Sequence, residues 1–352
     1  MPDSSSLTSR WRRWILVYLL ALGVVAGPAY TIYVHYDFSH SLDTRSYLSM
    51  AQGKFDGVSV TRRYRVLVPA VAAAVAWPLE QAYARVWPQR ATSDWPLRLA
   101  FYVVNMVLLA ATGLVLYETC RLYGATPAAA ALALVAVLCS RWAVYIAGLP
   151  LVDSLYLLVF ALAFYAPRAG SAVALGAVLL LGPQAKESFV FLVPWLLLYG
   201  RAALSWPRQL AWLALGGALA LGVRYGIDSR IGVPPAESVS NALDYIHNFA
   251  YSLRRLLSVK GAGEIFSVFG FLWLALLAGW RGGPELRQRW LRPLGWPGAG
   301  LVAVVLVHMF LSGDLGRMGY LAAPVFAVAF ALVLTHQPWL NLTPSAPNQT
   351  KQ

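Results

Sequence analysis

Charge is scarce in this chain, and its scarcity excludes most soluble folds. Of 352 residues only 12% are charged, while 59% are apolar. Lysine is almost absent: among 28 basic residues the lysines are Lys54, Lys186, Lys260 and Lys351. Cysteine occurs twice, at Cys120 and Cys139 inside or beside apolar runs, which leaves no disulfide framework and no metal-ligand spacing. No internal repeat and no Gly/Ser linker divides the chain, so residues 1–352 read as one domain. No basic block stands alone, and the arginines lie in short loops beside apolar runs. A formal charge of +13 therefore points to lipid headgroups or phosphates, with no nucleic-acid partner.

What is present is hydrocarbon in long runs. A mean hydropathy of +0.59 and continuous Leu, Ala and Val stretches suit membrane-spanning helices. Barrel strands would instead alternate in short segments. Arg10, Arg12 and Arg13 precede the first run, from Trp14 to Val34, which reads as an uncleaved first span with its N-terminus (1–13) in the cytoplasm. Further spans are expected at 97–119, 127–148, 154–167, 171–184, 188–200, 209–225, 264–280, 297–312 and 318–335. The expected fold is thus an all-α polytopic membrane protein of about ten transmembrane helices. Its outer loops would be 35–96 and 226–263, and its cytoplasmic tail 337–352. The run 64–79 carries Arg65 and two prolines and is short for a span. It is expected to lie in, or dip into, the outer leaflet, beside a short helix over SLDTRSYLSMAQG with Ser41 as its cap. Scarce Lys with abundant Ala, Gly, Trp and Pro suits a GC-rich bacterial genome, which makes the inner membrane the expected location.

Oriented this way, the unusual charges gather on one side of the membrane. They are Asp37, Asp43, Arg63, Arg65, Asp153, Lys186, Glu187, Asp314 and Arg317, with Tyr47 one turn after Asp43 on the same helix face. Each has an ordinary structural alternative. Asp43 can pair with Arg45 or Tyr47 in a solvated loop, Asp37 can end the first helix, and Asp153 can cap its span. Arg63 and Arg65 can snorkel to headgroups. Lys186 and Glu187 can pair as neighbours, and Asp314 with Arg317 can form an i, i+3 bridge. Gathering on one face is what favours a functional site, as in a transferase or transporter. A scaffold would not need it.

The segments DTRSYLSMAQG (43–53), YRVLVP (64–69), LPLVDS around Asp153, AKES around Lys186–Glu187 and GDLGRM (313–318) together resemble the GT-C fold glycosyltransferases. That resemblance implies an acidic catalytic residue in the first outer loop, which Asp43 matches best. It implies a polyprenyl-phosphate-sugar donor and a glycan, lipid or protein acceptor. Some members hold a divalent metal through Asp-x-Asp. Asp37 and Asp43 are six apart, so no metal or other cofactor is expected. The chain ends soon after its last span, which argues against the oligosaccharyltransferase branch. With a phosphate as leaving group, the reaction needs a carboxylate to take the acceptor's proton and cations to receive the phosphate. Asp43 is then the expected base. Asp37, Tyr47, Arg63, Arg65, Asp153, Lys186, Glu187, Asp314 and Arg317 are the expected substrate-binding residues, and a single displacement would invert the anomeric centre. The alternative class is a transporter or flippase for a lipid-linked or anionic substrate.

Overall fold

The computed structural model describes residues 4–38, 41–233 and 242–337, and all regular structure among them is helical. The segment after α1 (Ser4–His35) contains α2 (Leu42–Ala51), α3 (Val60–Arg63), α4 (Leu67–Val86) and α5 (Pro88–Ala91). The middle of the chain forms α6 (Trp95–Leu122), α7 (Pro127–Leu138), α8 (Arg141–Gly148), α9 (Asp153–Ala169), α10 (Ala172–Ala185), α11 (Val193–Tyr199) and α12 (Trp206–Ile231). The remainder forms α13 (Ala242–Leu256), α14 (Val259–Phe269), α15 (Trp273–Arg281), α16 (Pro284–Ser312), α17 (Leu315–Gly319) and α18 (Ala323–His336).

Six stretches are long and apolar enough to cross a membrane: Ser9–His35, Trp95–Leu122, Trp206–Ile231, Val259–Arg281, Pro284–Ser312 and Leu315–His336. By length and composition the chain is a multi-pass membrane protein. The expected span 127–148 is broken: α7 and α8 meet at 60°, and would add a seventh span if taken as one. The break is local chemistry. The Ser140 hydroxyl accepts from the Ala143 amide at 3.3 Å and starts a new helix there.

The expected spans 154–167, 171–184 and 188–200 are shorter than a bilayer requires. α9 has 17 residues and α10 has 14. A 14-residue helix rises only about 21 Å, against a hydrocarbon core of roughly 30 Å. The third starts as a 3-10 turn over Glu187–Leu192 and becomes α-helical at Val193, beside Pro194. α4 is longer than its apolar run, because the helix continues past Pro78 through Glu80 and Arg85. Most of the expected loop 226–263 is also helical: α12 extends to Ile231, and α13 and α14 follow. Residues 234–241, with Glu237, and all of the expected tail beyond Gln337 lie outside the described residues.

The bundle has two distinguishable ends. At one, Arg65, Asp153, Lys186 and Arg317 meet. Gln52 after α2 donates to Asp94 before α6 at 3.2 Å, so α4 begins and ends at this same end. Its Trp77 and Val71 are exposed, as suits an interfacial helix. At the other end, Arg168 donates to the Leu122 carbonyl, and the Thr126 amide donates to Thr335 at 3.1 Å. α9 and α10 therefore run between the two ends despite their length. The core lies among α6, α9 and α18, whereas α12 stands outermost: 78% of the Leu315–His336 window is buried but only 6% of the α12 window.

Small residues let the helices approach. A Cβ on Gly148, at the end of α8, would stand 2.7 Å from the Ala29 carbonyl oxygen of α1 and 2.5 Å from Ile32 Cβ. Gly148→Val is therefore expected to lower stability by about 1–3 kcal/mol through overpacking. Thermal unfolding in detergent reads this directly, with half-buried Gly217→Val, whose Cβ meets nothing within 4 Å, as the neutral comparison.

Candidate functional site

Five separate chain segments build the charged end, the turn around α3 with Arg62 and Arg65 among them. Ser41 caps α2, its hydroxyl accepting from the Thr44 amide at 3.4 Å, and this places Asp43 in the first turn. The turn before α9 is held by buried Asn105 of α6. Its amide donates to the Leu149 and Leu151 carbonyls at 3.0 and 3.1 Å, and its oxygen accepts from Ser154 at 2.5 Å. That arrangement fixes Asp153. α10 stops at Lys186, whose extended backbone (φ −166°, ψ 139°) turns the chain into the next helix. Asp314 caps α17 by accepting from the Arg317 amide at 2.9 Å, which aims the Arg317 side chain inward.

Arg62, Asp43, Arg317, Asp153, Asp314 and Lys186 form one ion-pair network, with the separate Arg65–Glu187 pair beside it. Arg317 Nη1 reaches Asp43 Oδ2 at 2.7 Å and Asp153 Oδ2 at 3.5 Å, and its Nε lies 3.0 Å from Asp314 Oδ2. The other Asp43 oxygen is held by Arg62. Lys186 Nζ lies 3.6 Å from Asp153 Oδ1 and 3.4 Å from the Met318 sulfur. Arg65 grips Glu187 with both branches of its guanidinium, one contact being Nε to Oε2 at 3.0 Å, and donates to the Tyr47 hydroxyl at 3.1 Å.

The network surrounds a cavity of about 460 Å³. Arg62, Arg65, Lys186 and Arg317 line it against two carboxylates, Asp43 and Glu187, so its wall carries an excess of positive charge. The apolar part of the lining includes Val190, Phe191 and Leu311. At its edge, Tyr156 Oη and His308 Nε2 are 2.6 Å apart, and His308 Nδ1 is 2.8 Å from the Val304 carbonyl. A carbonyl can only accept, so Nδ1 carries a proton, and a neutral ring then accepts from Tyr156 at Nε2.

Of the residues expected from sequence, Asp43, Arg65, Lys186, Glu187 and Arg317 line the cavity. Asp153 and Asp314 stand behind it and hold its cations. Tyr47 is buried and supports Arg65. Asp37 is exposed and is not part of the lining. Arg63 turns away: its Nη2 donates to the Gly232 carbonyl at 2.6 Å and its Nε lies 3.7 Å from Asp228, beside Tyr64, which also donates to Asp228. The inward arginine of the pair is Arg62. The α3 turn explains the exchange, because Arg62 and Arg65 at i, i+3 share a side while Arg63 does not. Sequence reasoning also missed Asn248, Ser188 and His308, all on the lining. The lone histidine in the apolar run VLVHMF was the available signal for the last.

The electrostatics follow from burial and pairing. Burial alone would push the Asp43 carboxyl up, but Arg317 and Arg62 hold it well below the usual carboxylate range. Glu187 is likewise kept low by Arg65 against the effect of burial. Burial pushes the Lys186 ammonium down to about 8, aided by Arg65 and Arg317 and opposed by Asp153 and Glu187. The linkage sign is definite. The unfolded lysine keeps its proton to about pH 10.4, so the unfolded state binds more protons between about 8 and 10.4. The Lys186 contribution to stability therefore rises with pH across that window, while the cavity loses one positive charge. Anion binding is expected to weaken above pH 8, and Lys186→Arg is expected to remove that limb. Binding of a short-chain polyprenyl phosphate, titrated between pH 7 and 9.5, checks both.

Among the described residues no three His, Cys, Asp or Glu side chains gather as a metal-binding group. Protein-family models, curated proteins and solved structures give no match to this chain.

Proposed function

We propose that this chain is a GT-C-like glycosyltransferase of the bacterial inner membrane. It would transfer a sugar from a polyprenyl-phosphate donor to a glycan, lipid or protein acceptor on the periplasmic face. The observation that carries this reading is the cavity wall, with Asp43 set among four cations at the end of a membrane bundle.

Ten crossings with both termini in the cytoplasm fit the two-ended bundle. α9 and α10 run from end to end, as does the 187–202 stretch, whose Ala202 carbonyl lies beside Gly170 after α9. The end opposite the cavity holds Arg13, Arg121, Arg168 and Arg289, as the positive-inside rule asks of a cytoplasmic face. The cavity end is then periplasmic.

The chemistry follows from the charges. Within the protein, each lining cation is held by a carboxylate. A donor phosphate competes for Arg62 and Arg317, which frees Asp43 and lets its carboxyl recover basicity. Asp43 takes the proton of the acceptor hydroxyl as that oxygen bonds to the anomeric carbon. The bond from that carbon to the phosphate oxygen breaks, and its electron pair leaves with the polyprenyl phosphate. The leaving group gains negative charge in this step, and the surplus cations of the wall stabilise it most at that point. Arginine forks suit the phosphate oxygens in pairs, and Lys186 acts as a point charge. One carboxylate and one displacement predict inversion.

Proteoliposomes separate this reading from transport. A transferase consumes the donor and yields free polyprenyl phosphate with an inverted glycoside. A flippase moves intact donor between leaflets and leaves the sugar–phosphate bond whole. Retention of the anomeric configuration would remove the single-displacement step.

A further inference from the structure

A second cleft, of about 470 Å³, lies at the end of the bundle opposite the charged cavity. It is lined by Tyr123, Arg168, Gln288, Arg289, Arg292 and Pro293. Among the described residues no acidic side chain lines it. None of the ion pairs among the described residues uses Arg168, Arg289 or Arg292. The contrast with the other end is plain, since there every lining cation has a carboxylate partner.

Two features build the cleft. The first is a break in α16. Gly295 has φ 49° and ψ −153°, non-helical values that separate Pro284–Leu294 from the apolar remainder. Positive φ is open to glycine at little cost, and Pro297 follows. The separated piece is amphipathic: Leu286, Trp290 and Leu294, spaced by four, are buried, whereas Gln288, Arg289 and Arg292 are exposed. Trp296 next to the break is 82% exposed, as suits an anchor at the headgroup level. The second feature is a fixed arginine. The Arg168 guanidinium sits 4.9 Å over the Tyr123 ring and donates to the Leu122 carbonyl at 3.4 Å. Tyr123 is itself stacked on Phe164, 5.5 Å between centroids and 12° from parallel. Arg168 is thus held against an aromatic wall before any ligand arrives.

We infer that this cleft is a binding site for a phosphate group, and specifically for the headgroup of an anionic phospholipid in the leaflet facing that end. Three guanidinium groups with no acidic partner among the described residues supply paired donors for phosphate oxygens. The interfacial helix places them at headgroup depth, where basic pockets between membrane helices take anionic lipids. The site is separate from the sugar-transfer reading and does not depend on it. It gives a reason for the break at Gly295, which turns two arginines of α16 toward a third on α9.

The test uses the purified full-length protein in a neutral detergent, titrated with phosphatidylglycerol, phosphatidylcholine or inorganic phosphate at constant ionic strength. Thermal unfolding and native mass spectrometry read binding. Phosphatidylglycerol is expected to stabilise the wild type and to remain bound, and phosphatidylcholine is expected to do neither. Each arginine near the surface contributes enough that Arg289→Gln with Arg292→Gln should weaken retention roughly 30-fold. Arg208→Gln, an exposed arginine outside the cleft, should leave it unchanged. Stabilisation by inorganic phosphate equal to that by phosphatidylglycerol would keep the phosphate site and overturn its assignment to lipid. Equal losses in the Arg208 and Arg289/Arg292 variants would show general attraction to the basic face and overturn the site altogether. So would indifference of the double variant.

Discussion

Arg317→Met is expected to cost the protein about 3–5 kcal/mol, the largest stability effect of any single change at the charged end. Arg317 is the hub, with contacts to Asp43, Asp153 and Asp314. Its side chain is 19% exposed and that of Asp153 is 6% exposed, so water cannot replace what is lost. Removing the hub leaves Asp153 facing Asp43 with only Lys186 to neutralise it. Typical domains are stable by about 5–15 kcal/mol, so a loss of this size removes a large share of the total. Arg317→Lys should recover part of the stability, since it restores the charge without the fork that spans several acids. Adding Asp153→Asn to Arg317→Met should also recover stability, because the second change removes the stranded charge. Thermal unfolding of wild type, Arg317→Met, Arg317→Lys, Asp153→Asn and the double variant measures this. A double variant as unstable as the sum of the two singles would break the account of the network.

Asp43→Asn is expected to lower transfer by about 10²–10⁴-fold, the range for loss of a positioned base. The amide keeps the size, and its one oxygen still accepts from one of the two arginines while its NH2 faces the other, so the fold should persist at a cost. Some stability should go with the charge, and the pH dependence shows how much. Asp43 has a folded-state pKa held below its unfolded value. Its contribution is therefore present above about pH 4 and disappears as pH falls through the folded-state value. In Asp43→Asn the acid loss of stability should be shallower than in the wild type. The pH–rate profile carries a second sign. Without donor, Asp43 is paired with two arginines, whereas donor phosphate would draw those arginines away. The acid limb of kcat should then lie at higher pH than that of kcat/KM. Coincident limbs would mean that the donor leaves the Asp43 pairs intact.

The class of fold was legible because repeated apolar runs of about sixteen residues or more have few other uses. α1, α6, α12, α16 and the Leu315–His336 stretch all follow from that signal. The short helices α9 and α10 were less legible as spans. Buried helices need not match the bilayer by their own length when neighbours cover their ends. Sequence could place Asp43, Arg65, Lys186 and Arg317 on one face but not assign their partners. Asp153 illustrates the limit: its carboxylate reads as a ligand contact in sequence, yet it is spent on Lys186 and Arg317. The exchange of Arg63 for Arg62 turns on one helical turn of four residues, below the resolution of a periodicity argument. His308 was hidden for a different reason. Its partner Tyr156 lies 152 residues away, and only packing brings them to 2.6 Å.

The most direct test of the central claim is a transfer assay with the purified full-length protein. Polyprenyl-phosphate sugars, radiolabelled in the sugar, are supplied with a membrane extract as acceptor, and wild type is compared with Asp43→Asn. The account predicts label moving to acceptor with equimolar release of polyprenyl phosphate, and its near-complete loss in a variant that still binds donor. Equal transfer by Asp43→Asn would remove Asp43 from the chemistry. Donor binding by the wild type with no bond cleavage across the panel would contradict the transferase reading, leaving the cavity as a transport site.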